Sequence, residues 1–408
     1  MDEMTKEIMS SVQAWVKDLL GEAEKVGTRA GAEALETRVR TEGLRLLGRL
    51  WEGLLQHVVD RQQEARVCPH CGQRRRHKGV RTRGLVSSVG AVRLRGPYWY
   101  CPACHTGAHA LDALAPESAS GVALELVCLL GTSLASFAKA SRVCEKALGI
   151  RLDEATVRTW CLAAGRRVLE APPMPPAVPE QADLVGSCDG TMINTRQDGW
   201  RELKAYQFEH AAGRHAGAYL ESAEAFMPRI RQAAIAMKAS RARRITWLAD
   251  AAEWIDRGIT VQLPMAKRIV DFWHACQHLH EAARKIFGEG TPEAERWARR
   301  YGEELRRDGA RVVCHSLRRA RYKDPARQKA LDALLGFLRR HADQMDYPTY
   351  ERFGYPISSG PMESFCKQLG QRLKGPGMRW SIPNVSPMAA LVCLWTQDEW
   401  DKYWRKAG

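Results

Sequence analysis

The chain has 408 residues, 45% of them hydrophobic, and a formal net charge of +15. This is enough for two to four domains at roughly 100–200 residues each, and the cationic excess favours a polyanionic partner, because counterions released from a phosphate backbone drive association. No apolar run of about 18 residues occurs, which argues against a membrane span, and the acidic start Met1-Asp2-Glu3-Met4 lacks the layout of a secretion signal.

Residues 1–66 are rich in Glu, Arg, Leu and Ala. Leu44, Leu47, Leu50, Trp51, Leu54, Leu55 and Val58 recur at three- and four-residue steps, which predicts an amphipathic N-terminal helix for packing or self-association. Residues 67–108 change character. Cys68-Pro-His-Cys71 and Cys101-Pro-Ala-Cys104 flank a basic, strand-prone segment with a hairpin turn near Gly90 or Gly96. Two CxxC turns joined by a hairpin describe a zinc ribbon holding one structural Zn²⁺, with four thiolates about 2.3 Å from the metal. His70, His77 and His105 lie nearby, but four cysteines already complete the shell. The other eight of the twelve cysteines are scattered singly, as buried thiols in a reducing cytosol would be. Arg74, Arg75, Arg76 and Lys78 lie between the two turns, as a solvated face or, on a ribbon in so basic a chain, as contacts to a DNA backbone.

Residues 109–170 contain three predicted helices, the last capped by Asp153. Ser136, Ala140 and the turn before Thr156, Arg158 and Arg166 resemble a helix-turn-helix, in which the last helix enters the major groove. Residues 171–181 are Pro-rich and predict an extended, semi-rigid linker.

From residue 182 the pattern is mixed α/β. Asp183-Leu-Val-Gly-Ser-Cys-Asp189 and Arg244-Ile-Thr-Trp-Leu-Ala-Asp250 are short apolar strands that each end in an acid. With two further antiparallel strands, a helix and the strand Lys267-Arg-Ile-Val-Asp271, residues 182–281 read as the first part of an RNase H-like sheet. Residues 282–346 form an all-α insertion, and 347–408 return to the sheet and end in helices. The return delivers Glu363 after a glycine-rich turn, followed by Lys367, Arg372, Lys374 and Arg379, cations suited to hold a DNA strand.

Phosphodiester chemistry uses two divalent ions about 3.5–4 Å apart, one on the attacking and one on the leaving oxygen. Mg²⁺ and Mn²⁺ prefer carboxylate oxygens. Asp189, Asp250 and Glu363 supply the minimum set of catalytic and Mg-binding acids. Taken singly, each is also an ordinary turn or cap residue. Asp271 and His274 form a D-x-x-H step on one helical face, suited to an accessory contact or to a helix cap beside a core histidine.

These segments together resemble bacterial insertion-sequence DDE transposases of the ISKra type, relatives of the Mutator-like transposases. The matching residues are Asp189-Gly-Thr191, Leu248-Ala-Asp-Ala-Ala-Glu-Trp-Ile255, Asp271-Phe-Trp-His-Ala-Cys-Gln-His-Leu279, and Ile357-Ser-Ser-Gly-Pro-Met-Glu363 through Arg372-Leu-Lys-Gly-Pro-Gly-Met-Arg-Trp-Ser381. The likeness spans roughly residues 65–400. It implies that Asp189, Asp250 and Glu363 are the metal-binding triad, that Asp271 and His274 match the family's D-x-x-H step, and that the activity is cutting at element ends and joining the freed 3′ hydroxyl to target DNA. Implied partners are double-stranded DNA, as terminal inverted repeats and target, and further copies of the chain, in a bacterial, nucleoid-associated cytoplasmic setting. One departure is Ala249 before the second aspartate, where the family often has Gly. Two other readings use fewer of these features: a non-catalytic zinc-ribbon and helix-turn-helix DNA-binding protein, and an RNase H-like nuclease that only hydrolyses.

Overall fold

The computed structural model describes residues 3–61, 66–113 and 118–407. The protein is mixed α/β and falls into two compact units, Met1–Ala164 with Asp401–Gly408, and Gly165–Trp400. Among the described residues, no helix is long and apolar enough to cross a membrane.

The first unit opens with α1 (Glu3–Ala23) and α2 (Arg29–Arg61), where the sequence periodicity predicts a single N-terminal helix. The chain breaks at Gly27-Thr28, because the Thr28 hydroxyl accepts from the Gly31 N–H at 3.1 Å and so caps a new helix. The Trp15 indole donates to Glu42 at 2.8 Å, and Arg38 bridges to Glu22 at 2.8 Å, so the two helices are tied together. Next come β1 (Arg76–Ser87), β2 (Gly90–Cys101) and β3 (Thr106–His109), an antiparallel sheet in that order. Leu55 and Val59 of α2 are buried against Leu85, Val92, Leu94 and Leu111. Each such side chain contributes about 1.5–3 kcal/mol on burial. The predicted stripe is therefore split: Leu55 faces the sheet, while Leu47, Trp51, Leu54 and Val58 stay exposed.

Three helices follow, α3 (Gly121–Ser133), α4 (Phe137–Leu148) and α5 (Glu154–Glu170). Ser120, Ser136 and Asp153 cap them through bonds to the backbone N–H groups of Ala123, Lys139 and Thr156. Gly149 ends α4 in the left-handed region, at φ 67°, a conformation glycine takes without a Cβ penalty.

In the second unit, residues 172–179 form neither helix nor strand. This stretch is not a free spacer. Val178 is buried at 1% exposure and its N–H donates to Met237 O at 2.7 Å, and the Pro176 carbonyl lies 3.1 Å from His210 Nε2. The core is a five-stranded sheet of β4 (Asp183–Thr195), β5 (Gly199–His210), β6 (Gly213–Tyr219), β7 (Arg244–Ala249) and β8 (Lys267–Val270), in the order β6-β5-β4-β7-β8. β4, β5 and β6 form an antiparallel meander, and β7 and β8 run parallel to β4. The crossover helices α6 (Ala223–Ala236) and α7 (Glu253–Gln262) cover one face, where Leu184, Cys188, Phe208, Trp247 and Ala249 pack on Phe226, Ile230, Ile255 and Ile259. A Cβ at Gly186 would lie 2.3 Å from the Trp247 ring, so only glycine lets that indole cross β4.

The helices α8 (Phe272–Phe287), α9 (Pro292–Asp308), α10 (Ala310–Leu317), α11 (Pro325–Arg340) and α12 (Tyr347–Arg352) share a second core with Leu248, Ile269 and Val270 of the sheet. The chain then returns as α13 (Gly360–Leu373) and α14 (Ile382–Thr396) and ends in α15 (Trp400–Ala407).

Candidate functional site

Two chemically distinct places stand out. The first is the group Cys68, Cys71, Cys101 and Cys104, whose sulfurs all lie within 4.8 Å of one another. A tetrahedral Zn²⁺ with bonds of about 2.3 Å spaces its sulfurs about 3.8 Å apart, and Cys71 Sγ and Cys101 Sγ are at 3.6 Å. Backbone bonds shape the first turn, with Cys68 N–H to Gln73 O and Gly72 N–H to Cys68 O, both at 2.9 Å. Burial pushes the Cys68 thiol up, but the N–H groups of His70 and Cys71 outweigh it, with help from neighbouring thiols, and bring it down to about 6. Cys104, bonded to Cys71 and half-buried beside the other sulfurs, is pushed up to about 12. A lowered thiol among like neighbours is the state a cation stabilises. Two of the nearby histidines have other partners: His77 packs on Trp99 with ring centroids 5.0 Å apart, and His105 Nδ1 lies 2.9 Å from the Tyr100 hydroxyl. The group can hold one Zn²⁺, consistent with a zinc ribbon.

The second place is where β7 ends against the middle of β4: β7 stops at Ala249 as the sequence predicts, whereas β4 does not end at Asp189 but runs on to Thr195, because its pairing with β5 continues. Their parallel register sets Cys188 opposite Ala249. One step further along each strand stand Asp189 and Asp250. Side chains alternate along a strand, so Asp189 leaves the sheet on the face opposite to buried Cys188. Burial raises the Asp189 carboxyl above its ordinary value. The Gly190 N–H, 2.7 Å away, opposes that rise, and the charge of Asp250 adds to it. A Cβ at Gly190 would lie 2.1 Å from a Glu202 carboxylate oxygen, so a larger residue there would displace the Glu202 side chain. Asp250 also accepts from the Ala252 N–H at 3.1 Å, a local turn that fixes its carboxylate.

α13 packs against β4 beside Asp189. The Cys366 thiol hydrogen-bonds the Asp189 carboxylate, and burial together with that negative charge drives the thiol well above its usual range. Glu363 lies three residues earlier on the same helix. Its side chain is 70% exposed and pairs with Lys367 at 2.8 Å. Among the described residues, the four cysteines are the one group of three or more ligating side chains within 4.8 Å. Asp189, Asp250 and Glu363 do not form another. The structure thus brings the two aspartates side by side and leaves Glu363 on the neighbouring helix, turned to a lysine one turn on. Three carboxylates repel one another, and an i,i+4 ion pair satisfies the third locally.

Asp271 is buried at 7% exposure and caps α8, accepting from the His274 N–H at 3.0 Å and from the Ser359 hydroxyl at 2.8 Å. It joins the start of α8 to the segment leading into α13, so it positions Glu363 and is not open to substrate. His274 acts on Asp189 electrostatically and meets His278 edge to face, with centroids 5.0 Å apart. Burial lowers the His278 imidazole, and its ring lies 3.9 Å from that of Phe337. Cys366 and His278 are missing from the sequence-predicted site. Their signal is helical spacing: Cys366 is three residues after Glu363 and His278 four after His274.

The predicted cations divide. Arg74, Arg76, Lys78, Arg158, Lys374 and Arg379 are exposed, and Arg75 is half-buried. Arg372 corrects the sequence expectation. It is buried at 3% exposure and stacks on Trp380 at 5.2 Å, because a planar guanidinium packs well on an indole face. It supports the segment that carries Lys374 and Arg379 and does not reach a DNA strand. No family model matches the chain, and no curated protein sequence matches it.

Proposed function

We propose that the chain is a DDE-type transposase: it binds the ends of a mobile DNA element, cuts there, and joins the freed 3′ hydroxyl to target DNA. The observation that carries this reading is the placement of Asp189, within β4, beside Asp250, just past the end of the parallel strand β7, in a sheet ordered β6-β5-β4-β7-β8. A meander whose first strand is extended by two parallel crossovers is the RNase H-like plan, and in open α/β sheets the carboxyl ends of the strands are where ligands bind.

The donor set fits hard divalent ions. Carboxylate oxygens suit Mg²⁺ or Mn²⁺, and the raised Asp189 carboxyl beside Asp250 is a like-charge pair that a cation relieves. Asp189 and Asp250 would hold two such ions, with Glu363 joining after its side chain rotates away from Lys367. When bound, the ions supply activation of the attacking oxygen and charge on the leaving oxygen. The chain's own residues do the rest. Asp271 fixes α8 against the segment before α13, Lys374 and Arg379 offer exposed charge to the strand, and the zinc ribbon with α3, α4 and α5 recognises the element end, as a homodimer or larger assembly on paired ends.

The test is divalent-ion-dependent nicking of a duplex that carries the inverted repeats flanking the gene. Nicking should vanish in Asp189→Ala, Asp250→Ala and Glu363→Ala, with binding retained. The exposed Glu363–Lys367 pair also suits a surface helix with no chemistry, so binding without nicking by the native chain would favour the non-catalytic DNA-binding protein. Hydrolysis without end joining would favour the nuclease.

A further inference from the structure

β4 and β5 continue together past Gly190 as a two-stranded arm. Its register sets Met192 opposite Glu202, Asn194 opposite Trp200 and Thr195 opposite Gly199. One face of the arm is filled, since Thr191, Ile193, Thr195 and Leu203 are buried. The other face is bare: Met192 is 45% exposed and Trp200 61%, and alternation puts both on it. The tip is held firmly. Thr195 Oγ1 donates to Gly199 O at 2.8 Å, Arg196 N–H to Trp380 O at 2.9 Å, Trp380 N–H to Asn194 O at 3.0 Å, and Ile382 N–H to Gln197 Oε1 at 3.2 Å. The Trp380 indole in turn donates to Leu373 O at 3.1 Å. These bonds bring the segment with exposed Lys374 and Arg379 against the arm, beside exposed Arg196 and Arg201. The acids here are already engaged, Asp198 with Arg201 and Glu202 with Lys204.

A rigid arm with an exposed indole, a thioether and the exposed cations Arg196, Lys374 and Arg379 matches nucleic acid whose bases are unstacked. Cations track the phosphates, and an aromatic face covers a base whatever its sequence. Apolar side chains also act as wedges that open a base step. We infer that the tip of the β4–β5 hairpin grips locally unpaired DNA, with Trp200 and Met192 on the exposed base and Arg196, Lys374 and Arg379 on the flanking phosphates. The position of Trp200 opposite Asn194 lies five residues along β4 from Asp189, about 16 Å at 3.3 Å per residue, and alternation puts the indole on the opposite face of the sheet from the Asp189 carboxyl. The inference rests on the reading of the chain as a DNA-processing enzyme, but not on its chemistry.

The experiment is fluorescence anisotropy of the full chain in EDTA, with a labelled duplex of about 30 base pairs and the same duplex opened by a short central mismatch bubble. The native chain should prefer the bubble by about tenfold, Trp200→Ala should remove most of that preference, and Trp200→Phe should keep it. Arg379→Ala should weaken both substrates alike and reduce the salt slope by about 0.9. A native chain that does not nick the duplex in Mg²⁺ but keeps a Trp200-dependent bubble preference overturns the transposase reading and leaves this one standing. Equal binding of bubble and duplex by the native chain, or an unchanged ratio in Trp200→Ala, overturns the inference. So does a change in oligomeric state by sedimentation in Trp200→Ala with DNA binding intact, since the face would then belong to a second copy.

Discussion

Asp189→Asn separates charge from shape at the proposed site. The amide oxygen can still accept from the Gly190 N–H, 2.7 Å from the native carboxylate, so the turn survives and only the charge beside Asp250 is lost. Neighbouring strands lie about 4.8 Å apart. Two unit charges about 5 Å apart interact with about 3 kcal/mol at an effective dielectric of about 20. Partial exposure reduces this to about 1–2 kcal/mol of relieved repulsion. For a unit of this size, each kcal/mol moves the melting temperature by about 2–4 °C. The variant should therefore melt about 2–8 °C above the native chain in EDTA, while losing nicking and most of the stabilisation that millimolar Mg²⁺ or Mn²⁺ gives the native protein. Scanning calorimetry of the second unit's transition reads all three states. The pH dependence has a definite sign. Burial and Asp250 raise the folded Asp189 carboxyl, so its stability contribution is full below the unfolded value of about 3.9 and is lost as pH rises through the folded value. The gap between variant and native chain should be small in acid and open as pH rises through that window. A variant that melts lower in EDTA at neutral pH, and that responds to the metal as the native chain does, would make Asp189 a plain turn residue and refute the reasoning.

The purified chain should carry one zinc by atomic absorption, and Cys101→Ala, which removes a fully buried thiol, should lose it and expose residues 67–108 to protease. Asp183 is lowered by its bonds to Arg243, against the opposing effect of burial, with Arg244 helping. Its stability is thus present above about pH 4 and lost as pH falls through the lowered value, so Asp183→Asn should cost about 1–3 kcal/mol at neutral pH and progressively less in acid denaturation series. Arg372→Ala should destabilise by about 1–2 kcal/mol and leave the salt slope of DNA binding unchanged. Lys367→Met should alter stability by under about 0.5 kcal/mol, since both partners of its ion pair are exposed, yet lower the Mg²⁺ concentration needed for nicking by freeing Glu363.

Much of the second unit was legible because the paired parts of β4 and β7 are apolar runs that lead to a charge, although β4 itself continues past Asp189 to Thr195. Leu184 and Val185, then Trp247 and Leu248, alternate between two buried faces, and each run ends in an aspartate. The four cysteines were legible because CxxC spacing is a local property of one tight turn. What escaped were matters decided by tertiary packing. The break at Thr28 rests on one side-chain bond to Gly31, too small a signal against the helical periodicity on either side. Val178 of the proline stretch is buried in the sheet's core, although its composition is that of a spacer. Arg372 reads as one more cation in a basic run, and only the Trp380 ring across the turn turns it inward.

Glu363 shows where reading from sequence stops. Its helix, its place in the first turn and the cap residue Ser359 follow from Ser-Ser-Gly-Pro-Met-Glu. Its partner does not, because an exposed carboxylate chooses between Lys367 and a metal by small differences. The pair contributes roughly 0.3–0.5 kcal/mol on an exposed helix, whereas a divalent ion held by two aspartates offers a third carboxylate a doubly charged target at short range. The ion pair therefore suits a resting position that a bound cation would displace, and Asp271, tied to Ser359 at 2.8 Å, fixes the start of the helix that carries Glu363.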